Sequence, residues 1–208
     1  MRKVDPRMVT IGVLALQGDF AEHAAALERL GVHAREVRVS ADLESIDALI
    51  VPGGESTTIA RLLRAWSLYE PMVSMARDGL PTWGTCAGLI VMAHVIVDDP
   101  LEGMDLIDVD VRRNAYGRQV DSFEVEVPVP ALGGPAFPAV FIRAPVIERV
   151  GPEVEVLASL SDGAPIAVRQ GNLLGSTFHP ELTNDLRFHA LLVSLARERS
   201  QVTDAAAV

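Results

Sequence analysis

The chain has one cysteine, Cys86, set in Gly84-Thr85-Cys86-Ala87-Gly88 where an apolar strand pattern meets a helical one. Small residues on both sides of a nucleophile allow a sharp strand-to-helix turn that leaves the side chain exposed at its tip. This is the logic of a nucleophile elbow, with sulfur in place of oxygen. A thiol at the start of a helix also sits in the positive end of the helix dipole, which favours the thiolate. The competing reading is a small side chain filling a gap in the core, the ordinary fate of an isolated cysteine.

A cysteine nucleophile needs a base, a group to orient that base, and donors for an oxyanion. His179 is the candidate base, because it stands at the end of a strand-like segment and Pro180 fixes the backbone after it. Glu181, two residues on, is within reach to hold the imidazole tautomer. The alternative is a surface turn with an exposed His and Glu. His23, His33 and His189 fall in helix or helix-flank patterns where a solvated side chain is the default, and His94 ends the helix after Cys86, directed away from it. The oxyanion donors expected are the backbone N–H of Ala87 and one from the Gly53-Gly54 loop, where glycine lets main chain approach a ligand closely. Otherwise Pro52-Gly53-Gly54-Glu55-Ser56-Thr57 is a plain β-to-α turn capped by Ser56 or Thr57. It lacks the Gly-Lys-Ser/Thr ending of a phosphate loop. One cysteine and scattered histidines offer no metal ligand set at workable spacing, so neither metal nor cofactor is expected.

These residues must be positioned by an α/β framework. Residues 9–16 form a nearly unbroken apolar, β-branched run, as a strand buried on both faces requires. Gln17-Gly18-Asp19 turns the chain, with Asp19 as N-cap of a helix that Gly31 stops. Strands are predicted over 33–39 and 46–51, helices from Ser56 through Trp66 and from Pro71 to Arg77, then the Cys86 strand and a helix through Met92. That order predicts a three-layer, mostly parallel, doubly wound sheet flanked by helices, with its site beyond the carboxyl ends of the strands. Both Gly53-Gly54 and Cys86 lie at such ends.

From residue 106 onward, short Val-rich segments at 106–113, 122–127, 139–142, 155–160, 164–169 and 173–177 are split by Gly, Pro and Asn. They are predicted to add antiparallel or mixed strands to the sheet. Asn114-Ala115-Tyr116-Gly117 and Gln170-Gly171-Asn172 are turn signals. A last amphipathic helix carries Phe188, Leu191, Leu192 and Leu195 on one face, capped by Asn184 or Asp185, with a frayed tail over 200–208.

Two hundred and eight residues fit one α/β domain, here 1–208 with an extension over 1–8. A net charge of −10 leaves no basic stripe for phosphates, which argues against nucleic-acid or anionic-membrane partners. The first apolar run is too short to span a bilayer. A lone cysteine excludes an internal disulfide and suits a reducing compartment, so a cytoplasmic location is expected.

Taken together, Gly84-Thr85-Cys86-Ala87-Gly88 and the distant His179-Pro180-Glu181 resemble the class I (triad) glutamine amidotransferase family. Gly53-Gly54-Glu55-Ser56-Thr57-Thr58, Arg113-Asn114-Ala115-Tyr116-Gly117-Arg118-Gln119 and Phe141-Ile142-Arg143-Ala144-Pro145 are similar to its branch of glutaminase subunits serving pyridoxal 5′-phosphate synthases. The resemblance runs over about residues 9 to 195. The departures are the segment before Val9, the Pro/Gly-rich stretch 128–138 and the tail, and none removes a catalytic position. The resemblance implies hydrolysis of L-glutamine by Cys86, His179 and Glu181, with Gly54, Glu55, Ser56, Arg113, Ile142 and Arg143 binding the glutamine. It also implies a synthase subunit as partner in a hetero-oligomeric complex, receiving the ammonia. Arginine suits the α-carboxylate of glutamine and Glu55 the α-ammonium. A glutaminase subunit of another pathway, a stand-alone γ-glutamyl hydrolase and a non-enzymatic scaffold remain alternatives on these residues.

Overall fold

The computed structural model describes residues 9–97, 99–113 and 122–206. The expected extension over 1–8 and the expected turn at Asn114-Ala115-Tyr116-Gly117 lie outside the described residues. The first half alternates as its sequence predicts: β1 (Thr10–Leu14), α1 (Phe20–Arg29), β2 (His33–Val37), β3 (Ala48–Val51), α2 (Ser56–Ala65), α3 (Tyr69–Arg77), β4 (Thr82–Thr85) and α4 (Ala87–Met92). The second half adds β5 (Ala93–Ile96), β6 (Ile107–Arg112), β7 (Ser122–Val127), β8 (Phe137–Ile142), β9 (Val146–Val150), β10 (Glu155–Ser159), β11 (Pro165–Gln170), β12 (Leu173–Ser176) and α5 (Arg187–Ala206).

The main sheet has seven strands in the order β10-β11-β12-β4-β3-β1-β2. The run from β12 to β2 is parallel, while β11 pairs antiparallel with both β12 and β10. Burial on both faces explains the unbroken apolar strands. In β3, Leu49 and Val51 pack on one side with Leu63, Leu68 and Leu89 from the α2–α4 layer. Ala48 and Ile50 pack on the other with Leu27 of α1 and Phe188 of α5. Successive side chains alternate across a strand, so a central strand needs apolar residues at every position.

The second half departs from expectation in its pairing. Only β10, β11 and β12 join the main sheet; β5, β6 and β9 form a three-stranded sheet, and β7 and β8 a separate antiparallel pair. Two of these strands escaped the sequence reading. The apolar run after Cys86 continues without a break from α4 into β5, and α4 stops after six residues. His94 therefore lies on a strand rather than at a helix end, and is hydrogen-bonded to Asp105 at 2.6 Å. The last helix reaches Ala206, across residues 200–206 of the expected tail, and Ser200 Oγ donates to Asp47 Oδ1 at 3.3 Å.

An aromatic layer lies between the sheet, α5 and the β7–β8 pair. Trp83, Phe137, Phe141, Phe178 and Phe188 are all at most 1% exposed. Phe188 stands at its centre, stacked 6.0 Å from Trp83 and edge-on to Phe137 and Phe178 at 5.0 and 5.5 Å. Because Phe178 immediately precedes His179, this layer also anchors the segment carrying the candidate base. Phe188→Ala is expected to cost about 3–5 kcal/mol, the range for truncating a fully buried aromatic. Urea unfolding measures it, and a cost under about 1 kcal/mol would show that the layer repacks around the gap.

Candidate active site

Four neighbouring parallel strands release their loops at one edge of the sheet. β1 leads into Gln17-Gly18-Asp19, β3 into Pro52-Gly53-Gly54-Glu55, β4 into Cys86, and β12 into the segment ending at His179. Thr85 pairs with Ser176 across β4 and β12, and the Cys86 N–H donates to Ser176 O at 2.8 Å. Parallel pairing thus brings the segment bearing the candidate base alongside the candidate nucleophile. The His179 N–H donates to Val140 O at 2.8 Å, so β8 fixes it from the other side.

The backbone of Cys86 has φ 48° and ψ −105°, outside the regions ordinary residues adopt. Holding such a conformation costs about 1–3 kcal/mol, which the surrounding fold must over-determine. The flanking glycines show how it does so. A Cβ at Gly88 would stand 1.9 Å from Val51 O, and one at Gly84 would stand 2.6 Å from the Gly88 carbonyl carbon. The elbow is therefore wedged between β3 and α4, and only hydrogen fits at Gly84 and Gly88, two positions to either side of the cysteine. The thiol is 6% exposed, with Sγ 3.9 Å from Ile142 O.

His179 Nδ1 and Glu181 Oε1 are 2.7 Å apart, and both residues are buried. Burial alone would lower the His179 pKa. Interaction with Cys86 and Glu181 outweighs burial and pushes it up to about 10. An imidazole that stays protonated in this way is what a thiolate–imidazolium pair requires. Desolvation pushes the Glu181 carboxyl up, and the bond from His179 opposes it. Gly53 backs the ring, since a Cβ there would lie 2.5 Å from His179 Cε1.

In front of these groups is a cavity of about 340 Å³. Cys86, Ala87, His179, Gly54, Glu55, Ser56, Arg113, Ile142 and Arg143, all picked out from sequence, line it; Gly53 and Glu181 stand behind its wall. Glu55 serves as the N-cap of α2, the place sequence assigned to Ser56 or Thr57. Its carboxylate accepts from the Thr57 and Thr58 N–H groups and the Thr58 hydroxyl. The Thr58 hydroxyl is the largest cause of a Glu55 pKa lowered to about 2. Arg113 is braced at the rim by Asp99 at 2.9 Å and Glu55 at 3.5 Å, whereas Arg143, with φ 44°, has no acidic partner among the described residues.

Gln17, Gly18, Asp19 and Ile90 also line the cavity and were not assigned to it from sequence. Asp19 makes no side-chain cap bond to α1; its carboxylate lies 3.4 Å from His179 Nδ1. The available signal was position, because Asp19 follows the carboxyl end of a central parallel strand. Among the described residues, Asp19, His179 and Glu181 place ligand atoms within 4.8 Å of one another, a grouping that residue spacing had excluded. It coincides with the site, where Nδ1 is already engaged by Glu181.

The largest correction concerns His23 and His189, expected in solvent and found with no exposure at all. Amphipathic patterns assign helix faces by apolar residues, and both histidines lie on the inward face of their helices. Burial, followed by the nearby Arg29 charge, lowers the His189 pKa to about 4; burial and the His189 and His179 charges hold His23 well below its ordinary value. An unfolded chain protonates these side chains near pH 6.5 whereas the native one does not, so stability falls as pH drops from 6.5 toward 4. The His189 shift corresponds to about 3 kcal/mol across that window. His189→Gln is expected to flatten this acid limb, read as urea midpoints at pH values inside the window. An unchanged slope would mean that His189 is protonated in the native protein.

The family model for the SNO glutamine amidotransferase family matches residues 13–198. A relative from Herpetosiphon aurantiacus, named pyridoxal 5′-phosphate synthase subunit PdxT, is 54% identical over 190 residues, covering 90% of this chain and 100% of its own. A relative of the same name from Clavibacter sepedonicus is 53% identical, over 90% of this chain and 91% of its own. A crystal structure of a glutamine amidotransferase aligns with a TM-score of 0.85 at 52% identity, over 89% of this chain and 98% of that one. A putative GMP synthase subunit from Thermoplasma acidophilum shares the fold at 16% identity, with a TM-score of 0.70. With its elbow cysteine, its buried His–Glu pair and these likenesses, the chain belongs to the SNO glutamine amidotransferase family.

Proposed function

We infer that this protein is the glutaminase subunit of a pyridoxal 5′-phosphate synthase, hydrolysing L-glutamine to L-glutamate and ammonia for vitamin B6 synthesis. The observation that carries the reading is the strained Cys86 facing the same cavity as a buried, basic His179 backed by Glu181. Relatives bearing the synthase subunit name at 53–54% identity support the pathway.

In this reading the Cys86 thiolate attacks the side-chain amide carbon of glutamine, and the oxyanion is held by the Ala87 N–H and an N–H of the Gly53-Gly54 loop. His179 gives its proton to the departing nitrogen as the C–N bond breaks, releasing ammonia and leaving a γ-glutamyl thioester. It then takes a proton from water, whose oxygen attacks the thioester carbonyl, and glutamate leaves as the thiolate re-forms. Glu181 keeps the ring oriented and its cationic form stabilised. Arg143, free of an acidic partner among the described residues, is suited to the α-carboxylate, with Gly54, Glu55, Ser56, Arg113 and Ile142 completing the substrate wall.

Ammonia released into neutral water would be captured as ammonium and lose its nucleophilicity, so such an enzyme works in a complex with the synthase subunit that consumes it. The reaction is assigned to the cytoplasm because a lone cysteine suits a reducing compartment. Among the described residues no helix is long and apolar enough to cross a membrane.

Cys86→Ala is expected to lower glutamine hydrolysis by about 10⁴-fold or more while leaving the circular dichroism spectrum unchanged. Wild-type turnover is expected to rise when the synthase subunit is added. Retained activity in the variant would overturn the nucleophile, and turnover indifferent to the synthase would overturn the subunit assignment in favour of a stand-alone hydrolase.

A further inference from the structure

Behind the catalytic pair, three helix and strand elements converge on an unsolved polar problem. Glu181 uses Oε1 to accept from His179, but Oε2 is buried and has no hydrogen bond of good geometry. His23 Nε2, on α1, stands 3.4 Å from that oxygen and 3.2 Å from Thr85 Oγ1, next to the nucleophile. His23 Nδ1 lies 3.0 Å from His189 Nε2 on α5, while His189 Nδ1 is buried without a partner.

These contacts select one arrangement of protons. Were His23 protonated on Nδ1 alone, its Nε2 lone pair would face the lone pairs of a carboxylate in a dry interior, and His189 Nδ1–H would be an orphaned donor. Protons on both Nε2 atoms remove both conflicts: His189 Nε2–H donates to His23 Nδ1, and His23 Nε2–H points at Glu181 Oε2 and Thr85 Oγ1. Of the four ring nitrogens, only the His189 Nδ1 lone pair is then left without a partner, and an unpaired acceptor is better tolerated than an orphaned N–H; the neighbouring Trp83 Nε1 is likewise buried without a hydrogen-bond partner.

We propose that His23 is a positioning residue for the triad: its Nε2–H, fixed in tautomer by His189, holds Glu181 ionised and aimed at His179. This deepens the glutaminase reading and rests on it. The ionisable groups bearing on His23 and Glu181 are His179 and Asp19 at the cavity and His189 on α5, which itself feels Arg29. Trp83 packs edge-on against both buried rings at 5.6 and 5.0 Å and keeps water out. Without the His23 donor the Glu181 carboxylate protonates at higher pH, and a neutral Glu181 no longer supports the His179 imidazolium.

The test uses the full chain with its synthase subunit, following glutamine hydrolysis from about pH 5.5 to 9. In His23→Leu, kcat is expected to fall about 10- to 100-fold with KM within about twofold, the scale of losing an outer partner of an oriented histidine. The acid limb of kcat is expected to move up by about one pH unit. His23→Gln, whose amide can donate to the carboxylate, is expected to recover most of both. Should His23→Leu fail to fold, His189→Phe, which deprives His23 of its tautomer partner, is expected to shift the limb in the same direction. A wild-type profile in the folded variant, or a loss of kcat with an unmoved limb and no rescue by Gln, overturns the proposal. Cys86→Ala runs alongside: if it matches wild type the glutaminase reading itself falls, and this proposal with it.

Discussion

A carboxylate kept from water is the constraint around which this molecule is arranged. The Glu181 side chain has no solvent exposure, so its charge is tolerable only while His179 stays beside it. Removing one partner from such a pair leaves an uncompensated buried charge, which is far costlier than never having buried the pair. The fold therefore invests in holding His179 still. Parallel pairing of β12 with β4 sets its place along the sheet, the Val140 carbonyl fixes its backbone, and Phe178 roots the segment in the aromatic layer.

That demand gives the small sheets a purpose. The β7–β8 pair is absent from the main sheet, yet β8 supplies the carbonyl that holds His179 and, at its end, Ile142 and Arg143 of the cavity wall. β6 runs out beside Arg113. The second half of the chain thus builds the front of a site whose reacting groups stand at the ends of parallel strands. Cys86 and Arg143, both lining the cavity, have positive φ, and at Cys86 α4 and β3 press on the flanking glycines and leave the elbow no alternative.

The buried histidines show a second economy. A polar pair deep between helices weakens stability in acid, and it would be an odd choice for simple packing. It becomes sensible in the proposed arrangement, where one ring faces the unpaired oxygen of Glu181 and the other, 3.0 Å away, sets its tautomer. In that proposal the acid sensitivity and the orientation of the triad come from the same buried cluster.

Much of this was legible in the residues. Unbroken apolar strands marked a sheet buried on both faces, glycines bracketing Cys86 marked the elbow, and His179-Pro180-Glu181 marked an imidazole held by a nearby carboxylate, because each depends on neighbours a few positions away. Local sequence could not show that β7 and β8 would pair apart from the main sheet, since alternating strands carry no label for their partners. Nor could it show His23 and His189 turning inward: a histidine is polar by type, and only the arrival of Glu181 and Thr85 from distant parts of the chain gives His23 polar neighbours in the interior. The chain alone determined which groups could react. Tertiary structure decided which of them meet, because the pairing of β4 with β12 and the packing of α1 on α5 join residues that sequence distance keeps apart.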